Sequence, residues 1–153
     1  MPELIDYSRL QFIPIFNELD KNELEILYKC VFVKKVAKDF FLFSQGMSGD
    51  LLYIIISGRV EIIKKTEDNK KILLVAMGAN DIVGEMSLID SEPRSATGKT
   101  AEDSVLLVIT KKSFNDLLDK DPRIAAKILM GMLKVMSKRL RTTTNSKIVE
   151  ERL

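Results

Sequence analysis

A carboxylate and a guanidinium stand nine residues apart in segment 83–97, which reads VGEMSLIDSEPRSAT. Glu85, once ionised, only accepts hydrogen bonds, which suits a sugar hydroxyl. Arg94 presents a planar fork of N–H donors matched to two oxygens of a phosphate. Ser95 and Ala96 follow it, offering a hydroxyl and main-chain amides that small side chains leave unhindered. Ahead of Glu85, Gly84 permits close backbone approach. Glu85 then opens a short apolar turn, Met86, Leu88 and Ile89, whose free backbone N–H groups point at whatever lies before it and favour an anion. The chemistry offered is recognition of a sugar phosphate. The same two charges are also what an ion pair across a loop requires, and spacing alone leaves both readings open.

What is missing narrows the function further. The 153 residues contain no histidine, no tryptophan and one cysteine. Ser-His-Asp and Cys-His catalysis are excluded, as are histidine or multi-cysteine metal sites. Glu85 has no partner acid or nucleophile in view, so the expectation is a protein that is not an enzyme, with no metal and no cofactor. A disulfide framework is also excluded, which favours a reducing compartment, and Cys30 reads as a buried, inert thiol. Nothing in the first twenty residues resembles a targeting segment, and the longest clean apolar run, 51–56, is far below the roughly 20 residues of a membrane span. A soluble, cytoplasmic protein with no membrane partner is expected. Lys plus Arg is 24 and Asp plus Glu 22, a net of +2, too near neutral to name a partner by itself.

Elements that would position this segment are legible on either side of it. Asp20 with Glu23 has capping-box spacing ahead of Leu24, Ile26 and Leu27, so a helix opens there, after a short helix broken at Pro14. Over 31–110 the pattern changes to about eight short strands punctuated by glycine and polar turns, without crossover helices. Among them, 51–56 reads as a strand covered on both faces, and 66–70 as a hairpin loop returning through 72–76. This predicts a mainly β fold with flanking helices: an antiparallel β-roll or jelly-roll-like barrel. After 111 the chain is helical again. Phe114, Leu117 and Leu118 keep helical spacing, and Asp121-Pro122 opens a long helix to about 144, with Asp as N-cap and Pro at the first turn. On it Ala126, Leu129, Leu133, Met136 and Leu140 step as a heptad seam, while Ile124, Ile128, Met132 and Val135 form a second apolar face. One face can pack on the chain itself and the other on a second copy, so a homodimer through the C-terminal helix is expected.

The segment 83–97 resembles the phosphate-binding cassette of the cyclic nucleotide-binding domain family, a Gly-Glu-Met-Ser-Leu run followed by Arg-Ser-Ala-Thr. Gly84 to Leu88 and Arg94 to Thr97 match it, and Pro93 resembles the regulatory subunits of cAMP-dependent kinases. Upstream, Gly46, Gly49-Asp50, Leu52-Tyr53-Ile54, Gly58 and Asp81 resemble the family's glycine-punctuated roll. The resemblance implies one domain over 1–153: N-terminal helices at 1–30, a β-roll at 31–110 holding the cassette, two helices at 111–145, and a tail at 146–153.

It implies roles as well. Glu85 would accept the ribose 2′-OH, Gly84 and nearby amides would approach the sugar phosphate, Arg94 would neutralise the cyclic phosphate, and Ser95 would donate to it. Val83, Met86, Ser87 and Ala96 would complete the cassette. The base would lie against Ile62, Leu74 and Val83, with Thr143 and Thr144 on the long helix as further contacts. Serine rather than threonine after Arg94 favours cAMP over cGMP. Two departures from the family pattern are Asn80, where glycine is usual, and Gly98, where a β-branched residue is usual.

The expected function is a stand-alone regulatory module that binds a cyclic nucleotide and signals through its C-terminal helix to a separate effector protein, since the few residues after that helix leave no room for an output domain unless the chain is part of a longer one. The alternatives are a structural dimer with a vestigial cassette, or a nucleic-acid binder using the basic end 134–153, which carries six basic and two acidic residues without a recognition motif.

Overall fold

The computed structural model describes residues 7–152, with side chains over 8–86 and 89–143. In chain order, two 3-10 turns (Tyr7–Phe12 and Pro14–Phe16) lead to helix α1 (Lys21–Tyr28). Strands β1 (Val31–Val36), β2 (Phe41–Phe43), β3 (Leu51–Ser57), β4 (Val60–Lys65), β5 (Lys71–Met77) and β6 (Ile82–Val83) follow. Helix α2 (Glu85–Asp90), strands β7 (Thr97–Thr100) and β8 (Ser104–Thr110), and helices α3 (Lys111–Lys120) and α4 (Pro122–Arg152) complete the chain. Residues 29–116 form one compact unit, and 7–28 with 117–152 form another.

The first unit is built from two antiparallel four-stranded sheets, ordered β1-β8-β3-β6 and β2-β7-β4-β5. The expected roll is thus two sheets, not a closed barrel: β1 and β6, like β2 and β5, end their sheets as edges. Strand β3 is central in its sheet, and Leu52, Tyr53, Ile54 and Ile55 are buried in succession, as a strand covered on both faces must be. Between the sheets, Val36, Tyr53, Ile55, Val60, Val83, Leu106 and Val108 form a core cluster. Two polar groups inside are satisfied. Thr100 Oγ1 accepts from the Phe40 amide (2.8 Å) and donates to the Ala37 carbonyl (2.7 Å). Ser104 Oγ donates to the Glu102 carbonyl and accepts from the Arg59 amide. Asn80 adopts φ +71°, the left-handed backbone that asparagine tolerates, so the turn before β6 keeps the form glycine would give it.

Local signals account for the helices of the second unit. Asp20 Oδ1 accepts from the Glu23 amide (2.9 Å) and Glu23 Oε1 from the Asp20 amide (3.1 Å), a complete capping box. The Asp121 carbonyl accepts from the Ile124 and Ala125 amides, and α4 begins at Pro122. Ile124, Ile128 and Met132 are buried, and at Gly131 the helix meets the Ile15 main chain so closely that a Cβ would overlap it. The heptad seam is outside: Leu133 is 59% and Leu140 68% exposed. α3 starts at Lys111, where the Thr110 hydroxyl caps it by accepting from the Ser113 amide (3.0 Å). Cys30 is half-buried rather than buried. Among the described residues no helix is long and apolar enough to cross a membrane.

Candidate functional site

Arg94 is held by its own backbone first. Its amide donates to the Met47 carbonyl (2.8 Å) and its carbonyl accepts from the Gly46 amide (2.8 Å), while Thr97 Oγ1 accepts from the Gln45 amide. The turn after β2 is thereby tied to the cassette, and the side chain enters the unit from a fixed point. Only 5% of the residue stays exposed. Nη1 donates to the Gly84 carbonyl (2.9 Å) and Nη2 to the Leu51 carbonyl (2.8 Å). Nε is buried and has no hydrogen-bond partner among the described residues. The guanidinium lies over the Phe43 ring, 4.5 Å from its centroid, and that ring stacks on Tyr53 at 6.3 Å.

Two glycines make room for the group. A Cβ at Gly49 or at Gly84 would overlap the guanidinium, and Gly84 also has φ +83°, where side chains are strained. Electrostatically, burial draws the Arg94 guanidinium below its ordinary value, while Tyr53, Asp50 and Glu85 act in the opposite sense. It remains a cation at neutral pH. Burial likewise pushes the Tyr53 hydroxyl up; its O–H donates to the Leu42 carbonyl at 3.3 Å. A desolvated cation whose fork is set on neutral carbonyls, with one N–H unmatched, favours an anion strongly.

The predicted site residues fall into three groups. Gly84, Glu85 and Arg94 come together: Glu85 opens α2, is 9% exposed and lies within electrostatic reach of Arg94. Ser95 is exposed beside Arg94, Ala96 is buried, and Met86 is 53% exposed. Val83 sits in the core cluster with 3% exposed, Ile62 packs against that cluster half-buried, and Leu74 on edge strand β5 is 53% exposed. Thr143 belongs to the other unit, where it is exposed and donates to the Arg139 carbonyl (3.1 Å). The side chains of Ser87 and Thr144 lie outside the described residues. Phe43, Gly49 and the Leu51 carbonyl were not anticipated as parts of the site. Gly49 was legible as a turn glycine only, and nothing in the sequence marks an aromatic ring or a carbonyl more than forty residues away as a neighbour of Arg94.

Residues 33–121 match the cyclic nucleotide-binding domain family. The chain is similar to the CRP-like cAMP-activated global transcriptional regulator of Mycobacterium tuberculosis, 30% identical over 132 residues, which are 86% of this chain and 57% of that protein. It is also similar to the anaerobic regulatory protein of Bacillus subtilis, 35% identical over 130 residues, 84% of this chain and 53% of that one. The chain therefore spans little more than half the length of these relatives. Among solved structures, a cyclic nucleotide-binding domain from Methylobacillus flagellatus superposes with a TM-score of 0.83 at 26% identity, covering 94% of this chain and 81% of that one.

Proposed function

The chain belongs to the cyclic nucleotide-binding domain family, and from that premise we propose that it is a regulatory module that binds cAMP, in preference to cGMP, at the 83–97 cassette. The observation that carries this reading is Arg94: a buried guanidinium with its fork on two carbonyls, an unmatched Nε–H, and glycines at 49 and 84 keeping side chains away. A cyclic phosphate supplies the single negative charge and the acceptor oxygens that such a cation lacks. Glu85, close enough to act on the same charge, accepts a ribose hydroxyl, and the exposed Ser95 donates from beside the arginine. Serine after Arg94 and the name of the Mycobacterium relative both favour cAMP. The base rests towards Ile62 and Leu74. No step in this function breaks or makes a covalent bond.

Output runs through α4 to a separate effector chain: if the nucleotide contacts the helix in only one of its arrangements, binding biases the helix by that difference in affinity. The seam of exposed Leu133 and Leu140 with half-buried Met136 pairs with the same seam of a second copy. The basic-end reading is weakened by Lys134, which is already engaged with Glu18 at 3.1 Å.

Calorimetric titration of nucleotide-stripped protein with cAMP and then cGMP tests the proposal. Micromolar or tighter binding of cAMP is expected. Arg94→Ala should lower affinity by about 10²–10³-fold, the loss of a desolvated charge partner worth roughly 3–5 kcal/mol. Equal affinity in wild type and Arg94→Ala would remove Arg94 from the site, and absence of heat with both nucleotides would overturn the function itself.

A further inference from the structure

Gly98 lies inside β7, where a glycine costs about 0.5–1 kcal/mol against a residue with a side chain. Its place is explained across the sheet. Phe43 on β2 is its register partner, and a Cβ at 98 would stand 2.6 Å from the ring's Cζ and 2.7 Å from Cε1. The far end of the Phe43 ring therefore occupies the space that a side chain at 98 would take. The same ring carries the Arg94 guanidinium over its face.

We propose that Phe43 is a positioning residue for Arg94, and that residue 98 is glycine because only then can the ring stand against the guanidinium. The inference rests on the reading of Arg94 as the phosphate-binding residue. A carboxylate in that place would hold the cation equally well but would consume its donors and cancel its charge. An aromatic face attracts the cation through its quadrupole and takes no N–H at all. Two of the five N–H donors are set on the Gly84 and Leu51 carbonyls, which fixes the plane of the fork, and the ring closes one side of that plane. Nε–H stays unmatched, a donor preserved for an anion. A side chain at 98 would not touch Arg94 directly; it would push the ring, and the ring would release the guanidinium.

The test uses the full chain in four variants: Phe43→Leu, Phe43→Tyr, Gly98→Val and the double variant Phe43→Leu/Gly98→Val. cAMP affinity is measured by calorimetry, and the Arg94 Nε–Hε signal by ¹⁵N–¹H NMR without nucleotide. Phe43→Leu should weaken binding by about three- to tenfold, and Phe43→Tyr, which keeps the ring, should stay within about twofold of wild type. Gly98→Val should weaken binding to a similar degree, and the double variant should be no weaker than Phe43→Leu alone, because both changes remove one contact. The Nε–Hε proton should be shifted upfield by the ring in wild type and in Phe43→Tyr, and should lose that shift in Phe43→Leu and Gly98→Val. Wild-type affinity in Phe43→Leu, or multiplying losses in the double variant, would overturn the inference. If wild type binds neither cAMP nor cGMP, the reading of the site falls, and the NMR arm still decides the role of Phe43: loss of the shift in both single variants supports it, and a signal unmoved by Phe43→Leu overturns it.

Discussion

Of the two readings open for Glu85 and Arg94, the geometry separates hydrogen bonding from charge. The two guanidinium hydrogen bonds among the described residues run to main-chain carbonyls, and Glu85 acts on Arg94 through charge alone. Gly84, Glu85 and Arg94 were legible because one short segment brings all three together. The Leu51 carbonyl, Gly49 and Phe43 were not, because only the pairing of distant strands delivers them. The capping box of α1 is the opposite case, complete within four residues. The Glu23 amide, donating to Asp20, holds its carboxyl below the ordinary 3.8. A carboxylate lowered in the folded state stabilises fully above its unfolded value and loses that contribution as pH falls through its folded one. Asp20→Ala should therefore lower the thermal midpoint at pH 7, and the gap to wild type should close as the pH is taken well below 3.8. Thermal unfolding followed by circular dichroism across that range checks it.

Among the elements, two apolar runs of similar composition met different fates. Leu52 to Ile55 of the LLYIII run are buried, on a strand that is central in its sheet between β8 and β6. ILLV in β5, an edge strand, is exposed throughout, from 42% at Val75 to 56% at Leu73. The unbroken apolar run 51–56 was legible as a covered strand; that 72–75 would lie exposed on an edge was not. Gly131 makes the same point in α4. By intrinsic propensity, Gly131→Ala should stabilise the helix by about 1 kcal/mol. The Ile15 main chain occupies the place of the new Cβ and cannot turn aside as a side chain would. The expected net effect is a loss of about 1–3 kcal/mol, as for overpacking elsewhere, measured by urea denaturation. A gain would mean that α4 and the Pro14–Phe16 turn separate easily.

At the scale of the whole molecule, α4 buries one face within its own unit and leaves the heptad seam outside. An exposed seam of this kind associates or becomes a liability. The wild type is expected to sediment at twice 17.4 kDa, and Leu133→Glu or Met136→Glu to sediment as the monomer with the fold intact by circular dichroism. A wild-type monomer at micromolar concentration would dismiss the seam as an interface. The same helix carries Lys127 to Glu23 at 2.6 Å and Lys134 to Glu18 at 3.1 Å, so part of its positive charge serves its own unit.

By itself the sequence determined whatever short-range chemistry decides: the caps at Asp20 and Asp121, the left-handed turn at Asn80, the succession of strands and helices, and the cassette with its arginine. Each depends on residues a few positions apart, whose preferences survive in any context. The tertiary structure alone decided which apolar strand is central and which is an edge, why α4 has a glycine at 131, and what surrounds Arg94. Those outcomes depend on volume and desolvation at points where distant segments meet. The Phe43 ring, the Gly98 backbone and the Leu51 carbonyl become one environment only when β2, β7 and β3 are in place.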